Sequence, residues 1–159
     1  MSQDELTAAN GWALYRHPAF LNRLENLIAE VEEVAARNAA EVQHHPAWKL
    51  LECVNSSVKR SVPADPGHKD FMLGNTLGKN LSHWRRVKKG LPQRYRLFFQ
   101  YRSEAPLTVI YAWLNDEHCL RKAGGKADCY AVFKKLVQSG SVPNSYSDLL
   151  SASTTLPAG

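Results

Sequence analysis

Three strand-like runs follow one another between residues 83 and 115, and they limit the folds that this chain can adopt. The runs are HWRRVKK, RYRLFFQYR and LTVIYAWLN, and the four-residue links GLPQ and SEAP join them. Links this short favour antiparallel pairing of neighbouring strands. The sequence therefore predicts an antiparallel sheet in the second half of the chain.

Two amphipathic helices are predicted before this sheet and one after it. Apolar residues recur at spacings of three and four over residues 18–38 and 46–62, which predicts a helical hairpin. The short apolar run WALY before it is predicted as an edge strand. After the sheet, Asp128 can cap a helix that ends near residue 138. The order of strand, helical hairpin, antiparallel sheet and C-terminal helix is that of an α+β domain, with helices expected on one face of the sheet.

The composition is that of a single domain. The chain has 159 residues, of which 44% are hydrophobic and 22% are charged. Residues 63–82 are rich in Pro, Gly, Asp and Asn and are expected to form a surface loop with a little helix or strand of its own. No apolar window has the length of a membrane span and the N-terminus is polar, so we expect a cytoplasmic protein with no membrane contact. The three cysteines lack CxxC spacing, which argues against a disulfide framework and a zinc site.

Positive charge is concentrated in the predicted sheet, although the net charge is only +5. Residues 79–102 contain eight Lys and Arg residues and no Asp or Glu, whereas residues 1–42 carry seven acidic residues against three basic ones. A polyanion would be attracted to the basic stretch.

Strand alternation divides this basic stretch between two faces, because successive side chains point in opposite directions. One face of RYRLFFQYR is apolar and aromatic and is expected to be core: Tyr95, Leu97, Phe99 and Tyr101. Arg96 falls on the opposite face, and Arg86 and Lys88 join it there if Val87 points to the core. Like charges in adjacent positions destabilise a sheet, so three cations indicate a site for an anion. A solvated charged face is the alternative.

Several segments together resemble the YhaV toxins, the ribonucleases of PrlF/YhaV type II toxin-antitoxin modules. They are NGWALYRHP, LGKNLSHWRRVKKG, RYRLFFQYR, AWLNDEHCLRKAGGKADCYAVFKKLV and SGSVP. The resemblance implies one toxin domain over residues 10–143, with flexible tails at residues 1–9 and 151–159. It also implies a RelE-like fold of the RelE/ParE-like superfamily, which has the element order predicted above.

The activity that the resemblance implies is that of a metal-independent endoribonuclease, an mRNA interferase that cleaves mRNA on the ribosome and inhibits translation and growth. In such cleavage a ribose 2′-hydroxyl attacks the adjacent phosphate and leaves a cyclic phosphate and a free 5′-hydroxyl. The reaction needs a base, an acid and cations that stabilise charge on the phosphate, and no cofactor is expected. The alternative is a noncatalytic toxin of the same fold that binds nucleic acid or a partner. The basic residues in RRVK and RYR distinguish the two, because the noncatalytic members lack them.

The catalytic pattern of RelE-like ribonucleases matches five positions of this sequence: Arg86, Lys88, Arg96, Arg121 and Tyr130. Lys89 would match the pattern in place of Lys88 if the alignment shifted by one residue, although strand parity favours Lys88. The remaining cations of the region are expected to contact RNA: Lys79, Arg85, Lys89, Arg94 and Lys126.

Each of the five has an expected role. Arg96 and Arg121 would grip the scissile phosphate, since a guanidinium can bind two oxygens at once. Arg86 would orient the phosphate or assist proton transfer, Lys88 would act as the base, and Tyr130 would stack on a nucleobase or donate a proton. The alternatives are that Arg121 is a surface cation at a helix end and that Tyr130 belongs to the core.

Four further residues are candidates at the rim of this site. Asp116 or Glu117 could act as a base or position Arg121 through an ion pair. His118 and His83 could form a pair of catalytic imidazoles, although strand parity puts His83 on the other face.

The resemblance also implies partners. The expected antitoxin is PrlF-like with an AbrB-type fold, and the acidic N-terminal third is a candidate for part of its contact. The other expected partners are mRNA, the ribosome, and operator DNA bound through the antitoxin complex.

Overall fold

A six-stranded sheet forms the centre of the fold in the computed structural model, which describes residues 8–155. Its strands are β1 (Ala8–Ala9), β2 (Trp12–Arg16), β3 (Arg85–Val87), β4 (Leu97–Arg102), β5 (Thr108–Leu114) and β6 (Thr154–Thr155). The order across the sheet is β1-β2-β5-β4-β3, and β6 pairs with β2. The pair β2–β5 is parallel and the other pairs are antiparallel, so the predicted antiparallel sheet is confirmed for β3, β4 and β5.

The helices lie close to their predicted positions. They are α1 (Pro18–Arg37), α2 (Pro46–Ser56), α3 (Cys129–Gln138) and α4 (Tyr146–Ser151). A π-helical turn over Ser57–Ser61 and an α-helical turn over Val62–Ala64 continue α2. Proline stands at the start of both α1 and α2, where its missing N–H costs no hydrogen bond. The predicted α+β order of strand, helical hairpin, sheet and C-terminal helix is confirmed.

Both faces of the sheet are covered, so the expectation of helices on one face is wrong. The hairpin α1–α2 packs on the face that carries Leu97 and Phe99. Helix α3 packs on the other face, where Phe133 stacks on Phe98 with ring centroids 4.0 Å apart. Strands β4 and β5 carry apolar residues on both faces. Residues on the second face, such as Ile110, are therefore buried only if that face is also covered.

The segment predicted as a surface loop, residues 63–82, contributes to the second layer. It contains a 3₁₀ turn over Lys69–Phe71, and its buried Leu73 and Leu77 pack with α3 in the second core. Met72 forms an isolated bridge with Arg85, which brings the loop backbone against the edge strand β3. The loop is thereby fixed beside the residues predicted to be catalytic.

Short pieces of the predicted tails are paired in the sheet. Strand β1 pairs with one side of β2, and β6 pairs with residues 15–16 of the same strand. Residues 1–7 and 156–159 of the predicted tails lie outside the described residues. Within residues 8–155, no helix is long and apolar enough to cross a membrane.

Candidate active site

Tyr130, in the first turn of α3, is the centre of the candidate site. Its hydroxyl oxygen accepts a hydrogen bond from Nε of Arg86 at 3.0 Å and another from Nε of Arg96 at 3.1 Å. The guanidinium carbon of Arg121 lies 4.8 Å from the centre of the Tyr130 ring, in a cation–π contact. The structure therefore brings together four of the five predicted catalytic residues. We call Arg86, Arg96 and Arg121 the arginine cluster.

The register of β3 on β4 explains why Arg86 and Arg96 meet. Arg86 lies opposite Phe98, two residues from Arg96, so the two arginines are diagonal neighbours on one face. Val87 points to the opposite face and is buried against α1 and α2. The parity predicted for Arg86, Val87 and Arg96 is confirmed.

Backbone carbonyls of the 70–72 turn hold Arg86 in place. Nη1 of Arg86 donates to the carbonyl oxygen of Asp70 at 3.0 Å and to that of Met72 at 2.9 Å. With Nε bound to Tyr130, three contacts fix the plane of the guanidinium. Sequence reasoning missed this support, because carbonyl oxygens of a loop leave no residue-type signal.

Arg96 lies deeper in the site and is only 7% exposed. Its Nη1 donates to the carbonyl oxygen of Tyr95 at 2.8 Å, and its backbone N–H donates to Oδ1 of Asn115 at 2.8 Å. Asn115 is fully buried and donates from Nδ2 to the carbonyl oxygens of Arg94 and Cys119, at 3.0 and 2.9 Å. This amide therefore ties the start of β4 to the chain that leaves β5 towards Arg121.

Asp128 positions both Arg121 and Tyr130. Its carboxylate accepts from Nη1 of Arg121 at 2.9 Å, from the backbone N–H of Lys122 at 2.6 Å and from the backbone N–H of Tyr130 at 3.2 Å. The hydrogen bond to this carboxylate raises the pKa of Arg121 above its usual value. Asp128, the predicted helix cap, is thus also the partner of Arg121. The cap signal alone did not indicate this second role.

The expectation that Asp116 or Glu117 positions Arg121 is wrong. Asp116 caps the following 3₁₀ turn by accepting from the backbone N–H of His118 at 2.9 Å. Glu117 and His118 are exposed and lie 3.5 Å apart. Both acids interact within their own turn, whereas Arg121 pairs with Asp128.

Lys88 is the predicted catalytic residue that the structure does not join to the cluster. It follows the last residue of β3, is exposed, and makes no hydrogen bond or ion pair within residues 8–155. Lys89, the alternative in the register, instead forms an ion pair with Asp70 at 3.2 Å. The hydrogen bond from Lys89 lowers the pKa of that carboxyl below its usual value.

The predicted RNA-binding residues are divided among different surfaces. Arg94 and Lys126 line a recess beside Arg121 with a volume of about 320 Å³. Arg85 faces away from the cluster, and its guanidinium lies 5.8 Å from the ring centre of Tyr101. Lys79 lines a separate recess that is formed with the far side of α3.

The two histidines considered as a catalytic pair have different surroundings. His83 makes a 2.9 Å hydrogen bond between Nε2 and the carbonyl oxygen of Asn144. His118 lines the recess of Arg94 and Arg121. Neither ring contacts the other. Among the residues that the structure describes, no three His, Cys, Asp or Glu side chains are grouped so that they could hold a metal ion.

The donors that remain unused determine what the cluster can bind. Nη2 of each of the three arginines makes no hydrogen bond within the described residues, and none of these atoms is buried without a partner, so all three reach solvent. The Tyr130 oxygen already accepts two N–H donors, which occupy its two lone pairs. Its own hydrogen is therefore left to donate. The site offers convergent donors to an oxyanion such as a phosphodiester.

Comparison with known proteins gives consistent matches. A family model for the YhaV toxin, described as a toxin with endonuclease activity of a toxin-antitoxin system, matches residues 14–154. The ribonuclease toxin YhaV of Escherichia coli (strain K12) is 40% identical over 141 residues, which cover 88% of this chain and 90% of that protein. Toxin YhaV of Escherichia coli O6:H1 is similar to the same extent. No solved structure matches the chain.

Proposed function

The chain belongs to the YhaV toxin family, and from that premise we propose that it cleaves RNA at the arginine cluster and Tyr130. It is a toxin of a toxin-antitoxin system with endoribonuclease activity, so it has an antitoxin as partner and RNA as substrate. The descriptions of the family and of its relatives name no cleaving residues. Their assignment rests on the resemblance to RelE-like ribonucleases and, for Arg86, Arg96, Arg121 and Tyr130, on the geometry of the site.

The observation that carries the assignment is the meeting of Arg86 and Arg96 on one tyrosine hydroxyl, at 3.0 and 3.1 Å. These two residues and Arg121 come from three parts of the chain, and each keeps an unused Nη2 donor. Fixed donors stabilise negative charge better than water does, because they need no reorganisation when the charge appears. The scissile phosphate would contact all three Nη2 donors as it becomes a phosphorane.

The members of the cluster differ in depth, which suggests their roles. Arg86 and Arg121 are half-buried and would contact the non-bridging oxygens of the scissile phosphate. Arg96 and Tyr130 are both 7% exposed and form the layer beneath. Arg96 would supply one further donor through Nη2, and Tyr130 would direct its hydroxyl hydrogen to the leaving group.

The proposed reaction is an internal transesterification by the ribose 2′-hydroxyl. Lys88, which matches the base position of RelE-like ribonucleases, takes the 2′-hydroxyl proton while the 2′-oxygen forms a bond to phosphorus. The bond from phosphorus to the 5′-oxygen breaks, and Tyr130 transfers its proton to that oxygen. The products are a 2′,3′-cyclic phosphate and a 5′-hydroxyl end. Arg86 and Arg96 remain hydrogen-bonded to the Tyr130 oxygen as it takes on negative charge.

The proposal extends to the partners. We propose that the antitoxin is PrlF-like with an AbrB-type fold, that the antitoxin complex contacts operator DNA, and that the RNA is mRNA cleaved on the ribosome in the cytoplasm. The cleavage is proposed to proceed through side chains alone. The basis for these finer assignments is the family resemblance of the segments around RRVK, RYR and CLRK.

Primer extension on a defined mRNA, with and without ribosomes, tests the activity and its dependence on the ribosome together. The wild-type protein should produce discrete stops, and the downstream fragments should carry a 5′-hydroxyl that a polynucleotide kinase can phosphorylate without prior phosphatase treatment. A 5′-phosphate on these fragments would exclude the proposed transesterification.

Alanine variants test the site. Arg86→Ala should reduce cleavage by about 100-fold or more, on the scale of losing one preorganised donor. Arg102→Ala is the matched control, since Arg102 is an exposed arginine at the far end of β4 that pairs with Glu104. If folded Arg86→Ala cleaves as fast as the control, the cluster is not the active site.

A further inference from the structure

A basic recess lies next to the arginine cluster and shares Arg121 with it. Four cations line it, Arg94, Arg121, Lys122 and Lys126, together with His118. Asp128 contributes the one carboxylate of the lining, and its oxygens are already occupied by Arg121 and by two backbone N–H groups. The recess therefore has an excess of positive charge, and its acid is already neutralised.

Arg94 occupies a backbone conformation that an arginine adopts at a cost. Its φ is 75°, in the left-handed region where glycine is favoured. Two hydrogen bonds hold this turn: the Arg94 carbonyl oxygen accepts from the backbone N–H of Arg121 at 2.9 Å and from Nδ2 of Asn115 at 3.0 Å. A glycine would satisfy the same contacts with less strain. The presence of a long cation at this point indicates a use for its side chain.

The guanidinium of Arg94 has no partner that would give it a structural role. It is exposed and makes no hydrogen bond or ion pair with any of residues 8–155. Lys126 is likewise exposed and without such a contact. Two unpaired cations on one recess repel each other, and an anion between them would relieve that repulsion.

Arg121 connects the recess to the cluster. One side of its guanidinium lies over the Tyr130 ring and is held by Asp128, while the residue also lines the recess. A strand whose scissile phosphate lies against the cluster would pass Arg121 on its way into the recess. The anion that such a strand would bring into the recess is its next phosphate.

We propose that the recess of Arg94, Arg121 and Lys126 is a second phosphate subsite, which binds the phosphodiester adjacent to the scissile one. This inference rests on the proposed function and specifies how the substrate is held. The subsite sets the direction in which single-stranded RNA crosses the cluster. It also requires that the substrate extend beyond the scissile linkage.

Binding of an uncleavable strand tests the subsite without using the cleavage reaction. The probe is a fluorescent single-stranded 2′-O-methyl RNA octanucleotide, whose affinity is measured by anisotropy at several salt concentrations. Arg94→Gly/Lys126→Ala should bind more weakly, and its plot of log affinity against log salt should be shallower by about 0.7, the value for one phosphate contact on a single strand. Lys135→Ala is the control, because it removes an exposed cation of α3 that does not line the recess.

The single variant Arg94→Gly separates binding from folding. Glycine suits the φ of 75°, so this variant should unfold at the wild-type temperature or above it while its RNA affinity falls. Equal affinity and equal salt dependence in the double variant and the control would overturn the proposal. Loss of affinity for the antitoxin, with unchanged RNA binding, would assign the recess to the antitoxin instead. Failure of the wild-type protein to cleave RNA would reject the proposed function but would leave this binding test intact.

Discussion

Replacing Tyr130 by Phe removes a single oxygen atom from the centre of the arginine cluster. The oxygen accepts from Nε of Arg96 and from Nε of Arg86, so both donors lose their partner. Arg96 is 7% exposed, and a buried donor without an acceptor costs about 1 to 3 kcal/mol. Arg86 is half-buried and keeps two carbonyl partners on Nη1, so water can replace part of its loss. We expect a total destabilisation of about 2 to 3 kcal/mol.

This destabilisation corresponds to a Tm lowered by about 4 to 12 °C for a domain of this size. The expected effect on catalysis is larger, because loss of a general acid slows a reaction by about 10²- to 10⁴-fold. The assay is single-turnover cleavage of a short RNA at a temperature where circular dichroism shows both proteins to be folded. Tyr146→Phe is the control, since the Tyr146 hydroxyl makes no hydrogen bond within residues 8–155.

Two results would refute this reasoning. A cleavage rate within about threefold of wild type would remove Tyr130 from the proton-transfer role. An unchanged Tm would mean that the oxygen does not hold the two arginines. A slow variant with a normal Tm would separate the chemical role from the structural one.

Three further predictions concern the support of the site, metal ions and pH. Asp128→Asn should slow cleavage at least about tenfold and lower the free energy of unfolding by about 1 to 2 kcal/mol, since one amide oxygen cannot replace the two carboxylate oxygens that cap α3 and bind Arg121. The control for cleavage is Asp148→Asn, in the first turn of α4. Equal cleavage rates in the two variants would contradict the role of Asp128. Cleavage should persist after dialysis against EDTA, whereas activity restored only by added Mg²⁺ would refute the side-chain mechanism. Burial raises the pKa of Cys119 to about 11 and that of Cys129 to about 12, so both thiols stay protonated in the folded protein while they ionise in the unfolded chain from about pH 9. The free energy of unfolding, measured by urea titration, should therefore fall as the pH rises from about 9 towards 11 and 12. If the variant Cys119→Ala/Cys129→Ala keeps the full pH dependence, ionisation of the two thiols is not its cause.

Local patterns were sufficient to predict most of the elements. The period of α1, with proline at its start, predicted its bounds to within one residue, because one amphipathic face and a first-turn signal are both encoded locally. The parity of β3 and β4 likewise placed Arg86 and Arg96 on one face. The family resemblance added Arg121 and Tyr130, whose proximity to that face no local pattern implies.

Other features of the site depended on how the chain folds in three dimensions. The second face of the sheet is covered because α3 brings Phe133 over Phe98, and because residues 73–84 place Trp84 against Phe133. Arg121 pairs with Asp128 and not with Asp116 because of the way in which the single connection between β5 and α3 folds. Neither feature has a periodicity or a spacing that could have been read beforehand.

The element order, the faces of the strands and the family could be predicted from the sequence, since they follow from helical period, side-chain alternation and motif. Which cations lie together depended instead on the packing of the elements. It joined Arg86 and Arg96 through one hydroxyl, left Lys88 exposed, and set Arg94 into a separate recess. Charges from different elements come close together only when those elements pack side by side, and no local pattern gives the distances between them. Like charges are held close together only where a shared acceptor such as the Tyr130 oxygen offsets their repulsion.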